Sequence, residues 1–199
     1  IFEFGSILKP LTVAFGLDTG AITGKSAYYD EGVITVGDAK ISNYDGKARG
    51  FIPIQEVLNQ SLNVGAVYIM QKTGKDTFAR YISEFGLGEE TGIDVPNEVP
   101  GLIGNLGTNR DVEFATAAFG QGIAITPIAA VRALSALANG GMLVTPHVAE
   151  KIDYAVGSSK SVSYGDEKRV IKKETSEEIT RMLVETVDTA LLKGAVRLP

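Results

Sequence analysis

Phe4-Gly5-Ser6-Ile7-Leu8-Lys9-Pro10 is the stretch around which the chain is organised. Gly5 breaks the backbone just ahead of Ile7, Leu8, Leu11, Ala14 and Phe15, whose spacing predicts one apolar face of a helix. Ser6 then falls in the first turn, and Lys9, three residues on, projects from the same side. A serine hydroxyl attacks poorly until a base takes its proton. A lysine can be that base only when neutral, so its pKa must fall from about 10.4 through burial or neighbouring positive charge. Pro10 lacks the N–H that would tie back to Ser6 and crowds that carbonyl, so the turn under the serine is expected to be distorted.

The same four residues also suit a plainer arrangement, a serine near a helix start with a lysine reaching solvent. The remainder of the chain bears on that choice. With 199 residues and 44% hydrophobic residues, it can bury a core as one domain spanning 1–199. A net charge of -5 and a pI near 5.0 argue against a nucleic-acid partner, which requires a basic face. Without cysteine there is no disulfide, thiolate metal site or cysteine nucleophile, and His147 is the single histidine. No metal or organic cofactor is implied. The longest apolar run, Ile123 to Leu137, is interrupted by Thr126, Pro127 and Arg132, so no membrane span is expected. The start lacks the basic segment of a signal peptide, and both ends read as truncated.

In chain order, Gly16 to Gly24 is a turn-rich connector, and Thr23 is expected to cap a short helix reaching Tyr29. Val33–Val36 and Ala39–Ile41 predict a hairpin about Gly37-Asp38, followed by a turn at Asn43-Tyr44-Asp45-Gly46. Ile54, Val57 and Leu58 begin a helical pattern, and a second helix runs from Val64 to a stop at Gly74. Asp76 is expected to cap a third, with Phe78, Tyr81, Ile82 and Phe85 buried and Gly86 as its end. Gly86 to Asn109 reads as loop, and Asp111 to Ala118 as a short helix. Thr126-Pro127 opens a helix with Ile128, Val131, Leu134 and Leu137 inside. Met142 to Ile152 reads as extended, Val156 to Asp166 as polar loop, and Lys168 to Ile171 as strand. A capping box, Thr175-Ser176-Glu177-Glu178, is expected to open a final helix lined by Ile179, Met182, Leu183, Val187, Ala190 and Leu191, with Gly194 ending it. The fold class is therefore mainly α, about six helices with a few short β-strands and no large sheet.

A second cluster, Ser61-Leu62-Asn63, lies at the junction of two of these helices. A hydroxyl there could pass a proton between Lys9 and a leaving amine, and a carboxamide could donate to a substrate carbonyl. Equally, both residues are good caps for the helix starting at Val64.

Taken together the motifs resemble the transpeptidase domain of penicillin-binding proteins of the class B type, whose signature is S-x-x-K, S-D-N and K-T-G. The first is Ser6-Ile7-Leu8-Lys9. The second is Ser61-Leu62-Asn63, with leucine in place of aspartate. The likeness continues through Phe85-Gly86-Leu87-Gly88, Thr91-Gly92-Ile93-Asp94-Val95-Pro96, Phe119-Gly120-Gln121-Gly122-Ile123, Thr126-Pro127, Ala138-Asn139-Gly140-Gly141 and Pro146-His147, in family order. It implies the helical portion of the β-lactamase/transpeptidase-like α+β fold, lacking most of its five-stranded sheet. By this resemblance Ser6 would be the acylated nucleophile, Lys9 its general base, Ser61 the proton relay and Asn63 the holder of the donor peptide.

The implied reaction is acyl transfer from D-Ala-D-Ala stem peptides in peptidoglycan cross-linking, with β-lactams acylating the same serine. The implied location is extracytoplasmic, tethered to the cytoplasmic membrane in the full-length protein, with cell-division or elongation proteins as partners. One departure stands out. The only Lys-Thr-Gly, Lys72-Thr73-Gly74, lies at a helix end and too early in the order, so it reads as a helix stop. The family's third motif and flanking strands are expected outside the chain. With them would go one oxyanion-hole donor, about 3 kcal/mol or more of transition-state stabilisation, so 1–199 alone is expected to be weak or inactive. Other readings are a serine β-lactamase-like hydrolase, for which no deacylating carboxylate is assignable, and a non-catalytic β-lactam sensor or scaffold module.

Overall fold

The computed structural model describes residues 1–165, 167–191 and 195. Among them are seven α-helices: α1 (Lys9–Asp18), α2 (Gln55–Asn59), α3 (Asn63–Thr73), α4 (Lys75–Glu84), α5 (Asp111–Ala117), α6 (Pro127–Ala138) and α7 (Lys173–Glu185). The strands are β1 (Ala27–Asp30), β2 (Val33–Val36), β3 (Ala39–Ser42), β4 (Gly50–Pro53), β5 (Met142–Leu143), β6 (Lys151–Asp153), β7 (Ser159–Ser161) and β8 (Lys168–Arg169). They form four antiparallel two-stranded ribbons, β1–β4, β2–β3, β5–β8 and β6–β7. The body is mainly helical, as the periodicities predict, and no sheet among the described residues exceeds two strands.

Helix α1 is the central element. Leu11, Thr12, Val13, Ala14 and Phe15 are consecutive and all buried, so this helix is enclosed on every side by other elements. Phe15 stacks on Tyr81 at 4.9 Å and meets Phe85 and Phe78 edge-on at 5.2 and 5.7 Å, which fixes α4 against α1. At its C-terminal end Asp18 accepts from the Tyr81 hydroxyl (2.5 Å), the Thr175 hydroxyl (2.7 Å) and the Lys172 backbone N–H (2.8 Å). One buried carboxyl group thus joins α1, α4 and the start of α7.

Several local expectations need correction. Residues reaching Tyr29 form β1 rather than a helix, because Ala27–Asp30 pair in register with Gly50–Pro53. Ile7 is 51% exposed and lies outside the α1 face. Asp76 is within α4, whose N-cap is Gly74 with no side-chain cap. Thr126 does cap α6, accepting from the Ala129 N–H at 3.2 Å. The buried face of α6, however, is Ala129, Ala130, Ala133, Ala136 and Leu137, and Val131 is 62% exposed. Small side chains let this helix lie close to α1 and α7, and that rotates the stripe away from the large residues.

The segment 156–166 includes strand β7. Helix α7 starts at Lys173, and Thr175 and Ser176 turn inward: Ser176 donates to the Leu137 carbonyl at 2.6 Å, so no capping box forms. Ile179 and Met182 are buried and Leu191 is exposed after a π-helical turn, Thr186–Ala190. The expected stop at Gly194 lies outside the described residues.

Candidate active site

Ser6 occupies a single 3₁₀ turn, Gly5–Leu8, that leads directly into α1. The distortion expected from Pro10 takes this form, with proline tolerated in the first turn of the helix proper. The Lys9 backbone N–H donates to the Ser6 carbonyl, closing the turn. Residues i and i+3 eclipse in 3₁₀ geometry, so the exposed serine and the lysine stand on one side of the chain.

The turn is braced from behind. Gly5, at φ 58°, donates its N–H to the Gly120 carbonyl at 3.0 Å. Gly120 itself has φ 78°, and a Cβ there would lie 2.1 Å from the Gly5 oxygen. Gly120 therefore requires glycine, and the left-handed backbone at Gly5 favours it. Phe2 and Ile125 exchange backbone hydrogen bonds (2.9 and 3.0 Å), and the Glu3 carboxylate accepts from the Gly122 N–H at 3.0 Å.

Lys9 is only 2% exposed, and its ammonium donates to the Ser61 carbonyl at 2.5 Å and the Ser61 hydroxyl at 2.9 Å. Burial disfavours the charged amine and lowers its pKa to about 8. The solvent-reaching alternative for this lysine is thus excluded. Ser61 reaches it because of how α2 ends. The Leu62 N–H returns to the Val57 carbonyl (3.0 Å) and the Ser61 N–H to that of Leu58 (3.3 Å), a Schellman ending that places Ser61 where glycine is usual. Ser61 adopts φ 53°, an uncommon conformation for a residue with a Cβ. Its cost, about 1–2 kcal/mol, accompanies a geometry in which both Ser61 oxygens face one amine.

Asn63 is the first residue of α3, and its side-chain amide donates to the Ser42 carbonyl at 2.9 Å. Neither Ser61 nor Asn63 caps α3. That task falls to Asn43, whose Oδ1 accepts from the Val64 N–H at 3.1 Å. Sequence reading missed this role, since an asparagine opening a turn is already explained by the turn. A cleft of about 350 Å³ lies alongside, lined by Ser42, Asn43, Tyr44, Asn63, Phe119 and Gln121.

The structure thus brings Lys9 and Ser61 into contact and sets Ser6 one turn before the lysine, while Asn63 lines a cleft that none of these three residues lines. Lys72-Thr73-Gly74 ends α3, with the Gly74 N–H on the Met70 carbonyl at 2.9 Å. It is about 15 Å along the helix from Asn63, in keeping with a helix stop. His147 is exposed and stacks on Tyr164 at 4.3 Å. Among the described residues no group of His, Cys, Asp and Glu could hold a metal ion.

Comparison with known proteins gives a consistent result. The family model described as penicillin binding protein transpeptidase domain matches residues 1–197. Stage V sporulation protein D of Bacillus subtilis is 38% identical over 189 residues, covering 94% of this chain and 29% of that protein. A peptidoglycan D,D-transpeptidase FtsI homolog of Chlorokybus atmophyticus is 35% identical over 161 residues, 74% of this chain and 24% of its own length. The crystal structure of penicillin binding protein 3 from Mycobacterium tuberculosis, complexed with aztreonam, superposes with a TM-score of 0.88 at 26% identity, covering 94% of this chain and 42% of that one. The chain spans less than a third of the length of these two curated relatives.

Proposed function

The chain belongs to the penicillin-binding protein transpeptidase domain family, and from that premise we propose that it carries the nucleophile half of a peptidoglycan D,D-transpeptidase site. The observation that carries this reading is the buried Lys9 amine, held against both oxygens of Ser61 and one turn past an exposed Ser6. Neutral Lys9 takes the proton from the Ser6 hydroxyl as its oxygen attacks the carbonyl of the penultimate D-alanine. The tetrahedral intermediate collapses with cleavage of the C–N bond. The departing D-alanine amine receives a proton through the Ser61 hydroxyl, and an ester remains on Ser6. An acceptor amine then attacks the ester, and the proton that it sheds returns to the Ser6 oxygen. Asn63 orients the donor peptide from the cleft that it lines. A β-lactam would follow the first half of the sequence and stop at the ester.

The full-length protein acts outside the cytoplasmic membrane, to which it is tethered, and works with cell-division or elongation proteins. Residues 1–199 alone turn over weakly or not at all, because the third motif and its strand would come from flanking sequence. The test is labelling by a fluorescent penicillin. The full-length protein is expected to be labelled and 1–199 to be labelled poorly. Efficient labelling of the isolated chain would contradict the incomplete-site reading, and an unlabelled full-length protein would contradict the function.

A further inference from the structure

Asp30, at the end of β1, is 0% exposed. Both of its carboxylate oxygens accept from the Asn43 side-chain amide, at 3.0 and 2.9 Å. Its Oδ2 also accepts from the Arg49 backbone N–H at 3.1 Å, and its carbonyl from the same N–H at 3.2 Å. A fully enclosed carboxylate is expensive to desolvate, so these bonds need a purpose beyond filling space.

What they accomplish is visible one step further out. An asparagine amide has two ends, and a carboxylate can receive only the NH₂ end. Asp30 therefore fixes the Asn43 side chain with its Oδ1 pointing away, which is the atom that caps the Val64 N–H at 3.1 Å. Arg49, fixed through its backbone, sends its Nε to the Gln60 Oε1 at 3.1 Å. The neighbouring Ser42 carbonyl holds the Asn63 amide at 2.9 Å. Residues 42–49 thus grip the strained Ser61–Asn63 junction on both sides, at Gln60 before it and at Asn63 and Val64 after it. Asp30 is where the Asn43 and Arg49 anchors meet.

We propose that Asp30 is a positioning residue for the Ser61–Asn63 junction, acting through the Asn43 side chain and the Arg49 backbone. The proposal rests on the reading of Ser61 and Asn63 as site residues. Asp30 does not touch substrate; it keeps the junction in the left-handed geometry from which Ser61 meets Lys9.

The experiment uses the full-length protein with two variants, Asp30→Asn and the exchanged pair Asp30→Asn/Asn43→Asp. Three quantities are read: the second-order rate of acylation by a fluorescent penicillin, hydrogen exchange in the peptide spanning residues 61–66, and the melting temperature. Asp30→Asn sets two NH₂ groups against each other and frees the Asn43 amide to turn. It is expected to speed exchange at Val64 and slow acylation, each about tenfold, the size of one lost hydrogen bond to a charged group. In the exchanged pair the new amide donates and the new carboxylate accepts from the Val64 N–H, so both effects are expected to shrink. Asn43→Ala, which removes the Val64 acceptor directly, reads the same bond if Asp30→Asn does not fold.

Unchanged exchange and acylation in Asp30→Asn would overturn the proposal, as would slower acylation with unchanged exchange. So would an exchanged pair no better than the single variant. If the wild-type protein is not acylated at all, the functional reading fails, and the exchange measurements still decide whether Asp30 holds the junction.

Discussion

The Lys9 ammonium and the Ser61 carbonyl, 52 residues apart in sequence, lie 2.5 Å apart in the fold, and the Ser61 hydroxyl is 2.9 Å from the same nitrogen. The contact spans the first residue of the central helix and a helix junction that must adopt a left-handed turn to make it. Around this pair the exposed Ser6, the cleft beside Asn63 and the brace from Gly120 take their places.

The lowered Lys9 pKa fixes the sign of the pH dependence. If the neutral amine is the base, acylation of Ser6 rises with pH and levels off above about 8. Stability follows the same group. The unfolded chain holds this proton up to about pH 10.4 while the folded one releases it near about 8, so between these values the unfolded state binds more protons and stability increases with pH. Below that window both states are protonated and the cost of burying the charge is fully present. A stopped-flow acylation profile from pH 6 to 10, beside urea melts over the same range, checks both.

The backbone at Ser61 separates strain from chemistry. Ser61→Gly removes the hydroxyl and relieves the left-handed residue, whereas Ser61→Ala removes the hydroxyl and keeps the strain. Ser61→Gly is therefore expected to be more stable than Ser61→Ala by about 1 kcal/mol, and both are expected to slow acylation by the donor peptide, whose leaving amine loses its proton relay. Paired denaturation curves and a transpeptidation assay measure the two effects.

Asp18 provides a stability test away from the site. Its burial would raise the carboxyl pKa, but the Tyr81 and Thr175 hydroxyls and the Lys172 N–H outweigh that and hold it below the usual carboxylate range. Its contribution is present above about pH 3.9 and fades as pH falls through the depressed folded value. Asp18→Ala is expected to destabilise the fold by about 3 kcal/mol, leaving several buried donors without an acceptor. The loss is expected to narrow in acid, as read from urea midpoints at pH 7 and pH 3.

Much of this was legible in the residues themselves. The helix behind Ser6, the β2–β3 hairpin, the aromatic stripe of α4 and the Thr126 cap are set by local spacing and capping chemistry, and all form as the pattern predicts. The recurring misreadings are tertiary. A small-residue face is the buried one in α6 because neighbouring helices come close, and Thr175 and Ser176 face inward because Asp18 and the Leu137 carbonyl wait there. The same limit applied at the site. Ser61 and Asn63 suited capping the next helix as well as they suited a site, and nothing local shows that Asn43, pinned by Asp30, supplies the cap instead.

The account depends most on Ser6 being the acylated residue and Lys9 the base that enables it. Peptide mapping by mass spectrometry after treating the full-length protein with a β-lactam tests this directly. The predicted result is an acyl adduct on the peptide containing Ser6 in the wild type, and its loss in a folded Lys9→Met variant. An adduct on any other serine, or one on Ser6 that forms at an undiminished rate in Lys9→Met, would contradict it.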